Sequence, residues 1–408
     1  MPKATHYAII GILIFIVSSC GFYKNALIWE KGNVNQSEFY SEIPFEYRAG
    51  IPVIEIEING VKAKFLFDTG APNVISEDLA TTLNLNTKSF GKINDSGGNS
   101  SKEGRKLLID SIKIGTVTFL ETNALVMDLQ SSFVFNCLGF DGIIGANLMR
   151  MAKWKIDYKN QNVSFTNDIS KFNISDSIYN VPFKTKSTYT PVITLKLDTT
   201  EIPNVTFDTG SNGDISVSAK NFKNISEANS NITYTVSKGA TNYGVYGKSK
   251  NDSTIFARIP SVSFGDVVLE SQIVEFKQHS NILGTQFFKN YAVILNWDTK
   301  NITLLQHSDY SRKNLIDYGF KLDIRDSKLY VGSIFDDSTM IKSGVQVGDQ
   351  ILTVNNKDVS QLSQDEACNI IVNQQKIATS DSAIFVFKNE NNTTTKSLQK
   401  RPLLPLID

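Results

Sequence analysis

Short runs of alternating apolar and polar residues recur along the chain, and a period of two turns one face of a strand toward a core. Val53-Ile54-Glu55-Ile56-Glu57-Ile58 is one such run. An Asn59-Gly60 pair follows it, a strong hairpin signal, and then Phe65-Leu66-Phe67 leads into Asp68-Thr69-Gly70. The pattern returns. Val192-Ile193-Thr194-Leu195-Lys196-Leu197 is the second alternating run, and Phe207 leads into Asp208-Thr209-Gly210. Ile43 of Ile43-Pro44-Phe45 lies 25 residues before Asp68, and Val181 of Val181-Pro182-Phe183 lies 27 before Asp208. Each Asp-Thr-Gly also has a later landmark, Ile143-Ile144-Gly145 and Ile282-Leu283-Gly284, whose final glycines stand 77 and 76 residues beyond the aspartates. A closing strand pair then follows in each copy, near Trp154-Lys155-Ile156-Asp157-Tyr158 and Val293-Ile294-Leu295-Asn296-Trp297-Asp298. This self-similarity predicts two equivalent units, at 38–170 and 178–308.

The middle of each unit is polar and glycine-bearing, 91–99 in the first and 237–247 in the second, as expected of hairpins that project from a sheet. Strand pairs are predicted to continue around Ile112-Lys113-Ile114-Gly115 and Val262-Ser263-Phe264-Gly265. Residues 309–315 are polar and basic and read as a linker. A third unit, 316–400, has a different pattern. It predicts extended segments after Asp317 and at Leu329-Tyr330-Val331, a helix opened by the capping pair Ser363 and Glu366 and running to about Gln375, and a strand at Ile384-Phe385-Val386-Phe387. Abundant Val, Ile, Thr, Phe and Tyr make the whole mainly β.

Composition narrows the function. Forty-one basic residues balance 41 acidic ones, so the chain lacks the electrostatic footprint of a nucleic-acid partner. The three cysteines, Cys20, Cys137 and Cys368, have no zinc-site spacing, and no cofactor or metal site is expected. At the N-terminus, Lys3 precedes an apolar stretch from Ala8 to Val17, too short for a comfortable membrane span. It ends in Val17-Ser18-Ser19-Cys20, which resembles a bacterial lipobox and implies a signal peptide at 1–20 with lipidation of Cys20. The alternative is an uncleaved anchor with an incidental cysteine. Either reading exports the rest of the chain to a bacterial cell envelope, held to a membrane through its N-terminus, and leaves Cys137 and Cys368 as isolated buried thiols. A Cys137–His279 thiol pair is the weaker alternative. The Asn-x-Ser/Thr sequons at Asn173, Asn204 and Asn224 fit an Asn-rich composition in such a protein.

A strand that ends in Asp-Thr-Gly delivers a carboxylate into an apolar place, and its glycine permits close backbone approach. Two such loops meeting about a twofold axis bring two carboxylates within a few Å, where they cannot both ionise and share one proton. With its repeated Asp-Thr-Gly and apolar-apolar-Gly elements, the chain resembles aspartic peptidases of the pepsin and retropepsin type, as two fused retropepsin-like halves. The resemblance implies that Asp68 and Asp208 are catalytic. It assigns Thr69, Gly70, Thr209 and Gly210 to active-site support and the glycine-bearing hairpins to flaps over a peptide. Residues 316–400 resemble a PDZ domain, through Tyr318-Gly319-Phe320 at a carboxylate-binding loop, Ser343-Gly344-Val345, and Gly348-Asp349-Gln350-Ile351-Leu352. Asp317 and Tyr318 depart from the commonest loop sequence.

The expected fold is therefore a two-lobed, pseudo-twofold aspartic-protease β fold followed by a PDZ-like domain. The expected function is an endopeptidase, monomeric because both aspartates lie in one chain, acting on a peptide or protein substrate. The PDZ-like module is expected either to bind peptide or to be a structural appendage. The rival reading is an inactive peptide-binding scaffold of the same fold; self-processing is a third.

Overall fold

A computed structural model describes residues 28–407 apart from 95–98, 175–177, 241–242, 250–251, 279–280, 337–338, 343 and 391. Cys20 and the rest of the N-terminal signal lie outside the described residues, as do His279, Ser343 and part of each expected flap. Among the described residues no helix is long and apolar enough to cross a membrane.

The first lobe is a nine-stranded sheet in which Ile51–Ile58 and Val61–Asp68 form the hairpin that the Asn59-Gly60 signal predicts. Both turn residues have positive φ, 51° and 79°, as a two-residue hairpin turn requires. The second lobe repeats the arrangement with Pro191–Leu197 and Thr200–Phe207. The glycine-bearing strand pairs are long antiparallel ladders, Ser100–Ile114 with Val117–Met127 and Asp252–Phe264 with Val267–Lys277.

A six-stranded sheet joins the lobes and displays their equivalence. Lys153–Asp157 of the first lobe pairs antiparallel with Tyr291–Asn296 of the second. On one side follow Asn162–Thr166 and Tyr40–Pro44; on the other follow Asn301–Gln306 and Ile178–Pro182. One hydrophobic cluster runs through both lobes above this sheet. Phe67 and Phe207, each immediately before an aspartate, are fully buried at corresponding places. Phe67 meets Trp154 with ring centroids 5.1 Å apart, and Phe207 stacks on Phe288 at 4.0 Å. Burying each such ring contributes about 1.5–3 kcal/mol and fixes the strand end beside it.

The C-terminal unit has its own core, with Phe320, Leu329, Val331, Ile351, Phe385 and Phe387 at its centre. Its helix, Gln364–Val372, starts with the predicted capping box between Ser363 and Glu366. The helix stops short of Gln375 because Gln374 has φ of 49°, which breaks the helical path. The predicted last strand, Ser382–Lys388, pairs with a further strand, Thr393–Gln399, that its alternation alone did not reveal.

Two expectations need correction. First, Cys137 and Cys368 are not isolated thiols: they form a disulfide across 231 residues, with Cα atoms 4.8 Å apart. The short helix Phe133–Leu138 of the first lobe lies against Gln364–Val372, a contact between units that no local pattern encodes. Second, residues 309–315 are no free linker. Tyr310 is buried, Arg312 bonds through its backbone to Ile273 and Gln272, and Arg258 donates to the Lys313 carbonyl. The C-terminal unit, with its own core, is also joined to the second lobe. Ser237–Gly239 of the second lobe pairs with Ser333–Phe335, so that one sheet crosses from the lobe into the C-terminal domain.

Candidate active site

Each Asp-Thr-Gly begins at the end of a strand and is flanked by the predicted apolar-apolar-Gly element. Gly142–Gly145 pairs parallel with Phe65–Asp68 and places Gly145 opposite Asp68. In the second lobe Ile282–Leu283 pairs parallel with Thr206 and Phe207, and the Asp208 N–H donates to the Leu283 carbonyl at 3.0 Å. These elements are hydrogen-bonded neighbours of the aspartate strands. Gly145 is required because a Cβ there would collide with the backbone of Ala71, Pro72 and Asn73.

The two loops interlock through their threonines. The Thr69 N–H donates to Thr209 Oγ1 at 3.0 Å and the Thr209 N–H donates to Thr69 Oγ1 at 3.1 Å. Each hydroxyl then donates to the carbonyl before the opposite aspartate, Thr69 to Phe207 and Thr209 to Phe67 at 2.8 Å. Both threonines are fully buried. Donor and acceptor capacity of each hydroxyl is used across the axis, which fixes the separation of the two carboxylates. Glycine follows for a steric reason: a methyl group on Gly70 would sit 2.5–2.7 Å from the Asp208 carboxyl, and one on Gly210 would overlap Asp68 in the same way.

The two carboxyl groups are therefore adjacent, Asp68 buried and Asp208 half-buried by exposed area. Burial pushes Asp68 up from the ordinary aspartate range, while backbone N–H groups of Gly70, Ala71 and Gly210 and a hydrogen bond from Asp208 work against that rise. Asp208 is pushed up further, first by burial and then by the charge and hydrogen bond of Asp68. Both groups are thus pushed toward the protonated form, and two carboxyls this close favour sharing one proton, a titration that belongs to the pair.

Several neighbours carry no sequence motif. Lys186 Nζ donates to Thr206 Oγ1 at 2.9 Å, two residues before Asp208; burial lowers its affinity for a proton and the Asp208 charge raises it. Tyr158 is buried close enough to feel the same charge. Asn73 Oδ1 accepts from the Gly145 N–H at 2.8 Å, and the Asn73 N–H donates to Asn147 Oδ1 at 2.7 Å. In the second lobe Asp214 accepts from Tyr310 Oη at 2.7 Å and faces Arg312, which also binds Glu275 at 2.5 Å. None of these stands in a short motif. The only hint is position, and only for Asn73 and Asp214, which stand a few residues after Asp68-Thr69-Gly70 and Asp208-Thr209-Gly210.

Of the expected flaps, the second includes a hairpin, Tyr243–Gly244 with Gly247–Lys248, and Asn99 from the first approaches the Gly247 and Lys248 carbonyls at 3.4 and 3.3 Å. In the C-terminal loop, Tyr318 donates through its hydroxyl to the Ser380 carbonyl at 2.5 Å, Gly319 has φ of 99°, and Phe320 belongs to the domain core. Among the described residues no cluster of His, Cys, Asp and Glu is arranged to hold a metal ion.

The fold and this paired site define a class: a mainly β, two-lobed aspartic-protease fold followed by a PDZ domain. Comparison with known families agrees. The aspartyl protease family model matches residues 54–148, which contain Asp68 and Gly145, and the PDZ domain model matches 309–379. No curated protein matches the chain. Asp208 lies outside the matched segment, so its place rests on the duplicated frame and on the Thr69–Thr209 interlock.

Proposed function

We propose that the chain is an aspartic endopeptidase built from two fused retropepsin-like halves, with Asp68 and Asp208 as its catalytic pair. The observation that carries this reading is the reciprocal interlock of Thr69 and Thr209, which holds the buried Asp68 and the half-buried Asp208 side by side. Asp68, as carboxylate, takes a proton from a water positioned between the two groups as that water attacks the scissile carbonyl carbon. Asp208 donates its proton to the carbonyl oxygen, giving a neutral tetrahedral diol. Collapse of the diol returns a proton to Asp208 while Asp68 passes the other to the leaving amine. Each turnover consumes one water and restores the singly protonated pair.

In this reading the protein works as a monomer, exported and tethered to a bacterial envelope membrane through lipid on Cys20. The Cys137–Cys368 disulfide supports export, because such bonds persist in oxidising compartments. Replacing Cys20 with Ser should move the protein from the membrane to the soluble fraction; unchanged fractionation would remove the tether from the account.

Cleavage of a peptide library provides the main test. Pepstatin-sensitive products are expected, and Asp68→Asn and Asp208→Asn should each abolish them. The absence of cleavage by the wild-type chain from acid to neutral pH would instead favour the peptide-binding scaffold.

A further inference from the structure

A peptide reaches a PDZ-like module as an added strand, between an open strand edge and the neighbouring helix. Here those elements are Phe320–Arg325, which pairs with Lys328–Phe335 alone among the described strands, and Gln364–Val372. All three features of that groove are already engaged by this chain. Its apolar floor, Leu322, Ile324 and Ile370, shares one cluster with Phe133 of the first lobe. The Phe133–Leu138 helix touches both groove elements and is bonded to one of them through Cys137–Cys368. At the strand, Asp323 has a fully buried carboxylate that accepts from Tyr243 Oη and Lys248 Nζ, both at 2.6 Å, with Arg325 Nε at 3.1 Å. Tyr243 and Lys248 belong to the second-lobe flap hairpin. In the carboxylate loop, the N–H groups of Tyr318 and Gly319 turn toward the carboxylate of Asp317.

We propose that the groove of the PDZ domain is an internal docking site, occupied by the Phe133–Leu138 helix and by the second-lobe flap, and that Asp323 is a positioning residue for that flap. The flap is held from two sides. Beyond Asp323, its tip residues Val245 and Tyr246 pack on a first-lobe cluster that includes Leu138, Phe140 and Ile143, where Ile371 of the groove helix also packs. A second connection runs to the aspartate loop itself. The Ala49 N–H donates to the Val372 carbonyl at 2.6 Å, and Asn212 Nδ2, four residues beyond Asp208, donates to the Ala49 carbonyl at 3.1 Å. A groove filled in this way sets the height of the flap above the aspartate pair; that consequence rests on the peptidase reading, whereas the docking does not.

Hydrogen exchange read by mass spectrometry tests the docking without requiring turnover. Asp323→Asn keeps the shape of the side chain and removes its charge. It should speed exchange in 243–248 by about tenfold or more while the strands Phe65–Asp68 and Thr200–Phe207 keep their protection. If the peptidase reading holds, its KM should rise more than its kcat falls. A fluorescein-labelled peptide of residues 131–139 with serine at the cysteine position should bind the Phe133→Ala, Cys137→Ser, Cys368→Ser chain saturably and leave the wild type unoccupied. Unchanged flap exchange in Asp323→Asn, or equal peptide binding by wild type and variant, would overturn the proposal. Should the triple variant not fold, the isosteric Asp323→Asn exchange result decides alone. A chain that cleaves nothing yet shows the exchange change would refute the peptidase reading and keep this one.

Discussion

The two aspartate loops do the same geometric work with opposite materials. In the first lobe the Gly145 N–H is met by the side chain of Asn73, which is itself tied to Asn147 and through it to the Asn123 carbonyl. Every member is a neutral amide of that lobe. In the second lobe the Gly284 N–H is met by the Asp214 backbone carbonyl, and this frees the Asp214 side chain. Tyr310 and Arg312 then engage it from the segment that leads to the PDZ domain. Arg312 also binds Glu275 on the last long strand of the lobe. The difference teaches that fold equivalence constrains the backbone path of the loop and leaves its support open. One loop is self-contained; the other depends on chain that lies beyond the duplicated unit.

The charge balance of the second support is uneven. Burial alone would raise Glu275, but Lys277, Arg312 and Lys321 outweigh it and hold the carboxylate well below its usual range. Asp214 faces the same Arg312 yet is pushed up by burial. Glu275 has Lys277 at 2.7 Å and Arg312 at 2.5 Å, whereas Asp214 has Arg312 at 3.5 Å and the Glu275 charge against it, which accounts for the inequality. The largest effect expected from breaking the comparison follows. Arg312→Met leaves two buried carboxylates without their shared cation and should cost about 3–5 kcal/mol of stability. Asn73→Ala leaves one buried N–H unpaired and should cost about 1–3 kcal/mol. Urea unfolding of both variants beside the wild type compares them directly. Equal losses would mean that the charged cluster supports its loop no more strongly than the amides do.

The duplicated frame was legible because its signals are local: alternating strands, the Asn59-Gly60 turn, and Asp-Thr-Gly at matching distances from a second glycine. Asp68 and Asp208, with their threonines and glycines, are adjacent in space as that frame implies. What sequence did not show is everything that joins units of different pattern. Cys137 and Cys368 read as unrelated thiols because their pairing depends on one lobe docking on a later domain. Tyr310 and Arg312 read as linker because polarity alone does not distinguish a solvated segment from one whose charges are buried against partners. Gly239 read as a hairpin glycine, yet it lies where a Cβ would strike the Gly332 carbonyl, at the crossing of the shared sheet.

The smallest effect concerns the aspartate pair and has opposite sign on the two limbs of a stability–pH curve. Asp68 and Asp208 are held above the value of about 3.9 that an unfolded aspartate has. Between that value and their folded ones the native chain binds more protons than the unfolded chain, so stability falls as pH rises through the interval. Glu275 is held below its unfolded value, so its contribution is present above the unfolded value and is lost as pH falls through the folded one. Asp208→Asn removes the Asp208 share of the first of these and leaves the burial of Asp68 and the Glu275 cluster in place. It should raise the melting temperature at neutral pH, with each unit of relieved upward shift corresponding to about 1.4 kcal/mol. The gain should vanish below the ordinary aspartate value, while the acid limb set by Glu275 remains. Melting curves across pH for wild type and Asp208→Asn measure both limbs together. A variant less stable than wild type at neutral pH would mean that Asp208 is valued there for its hydrogen bonds and carries no burial penalty. The two lobes would then differ both in their supports and in the energetic character of the carboxylates they hold, since burial pushes Asp68 up.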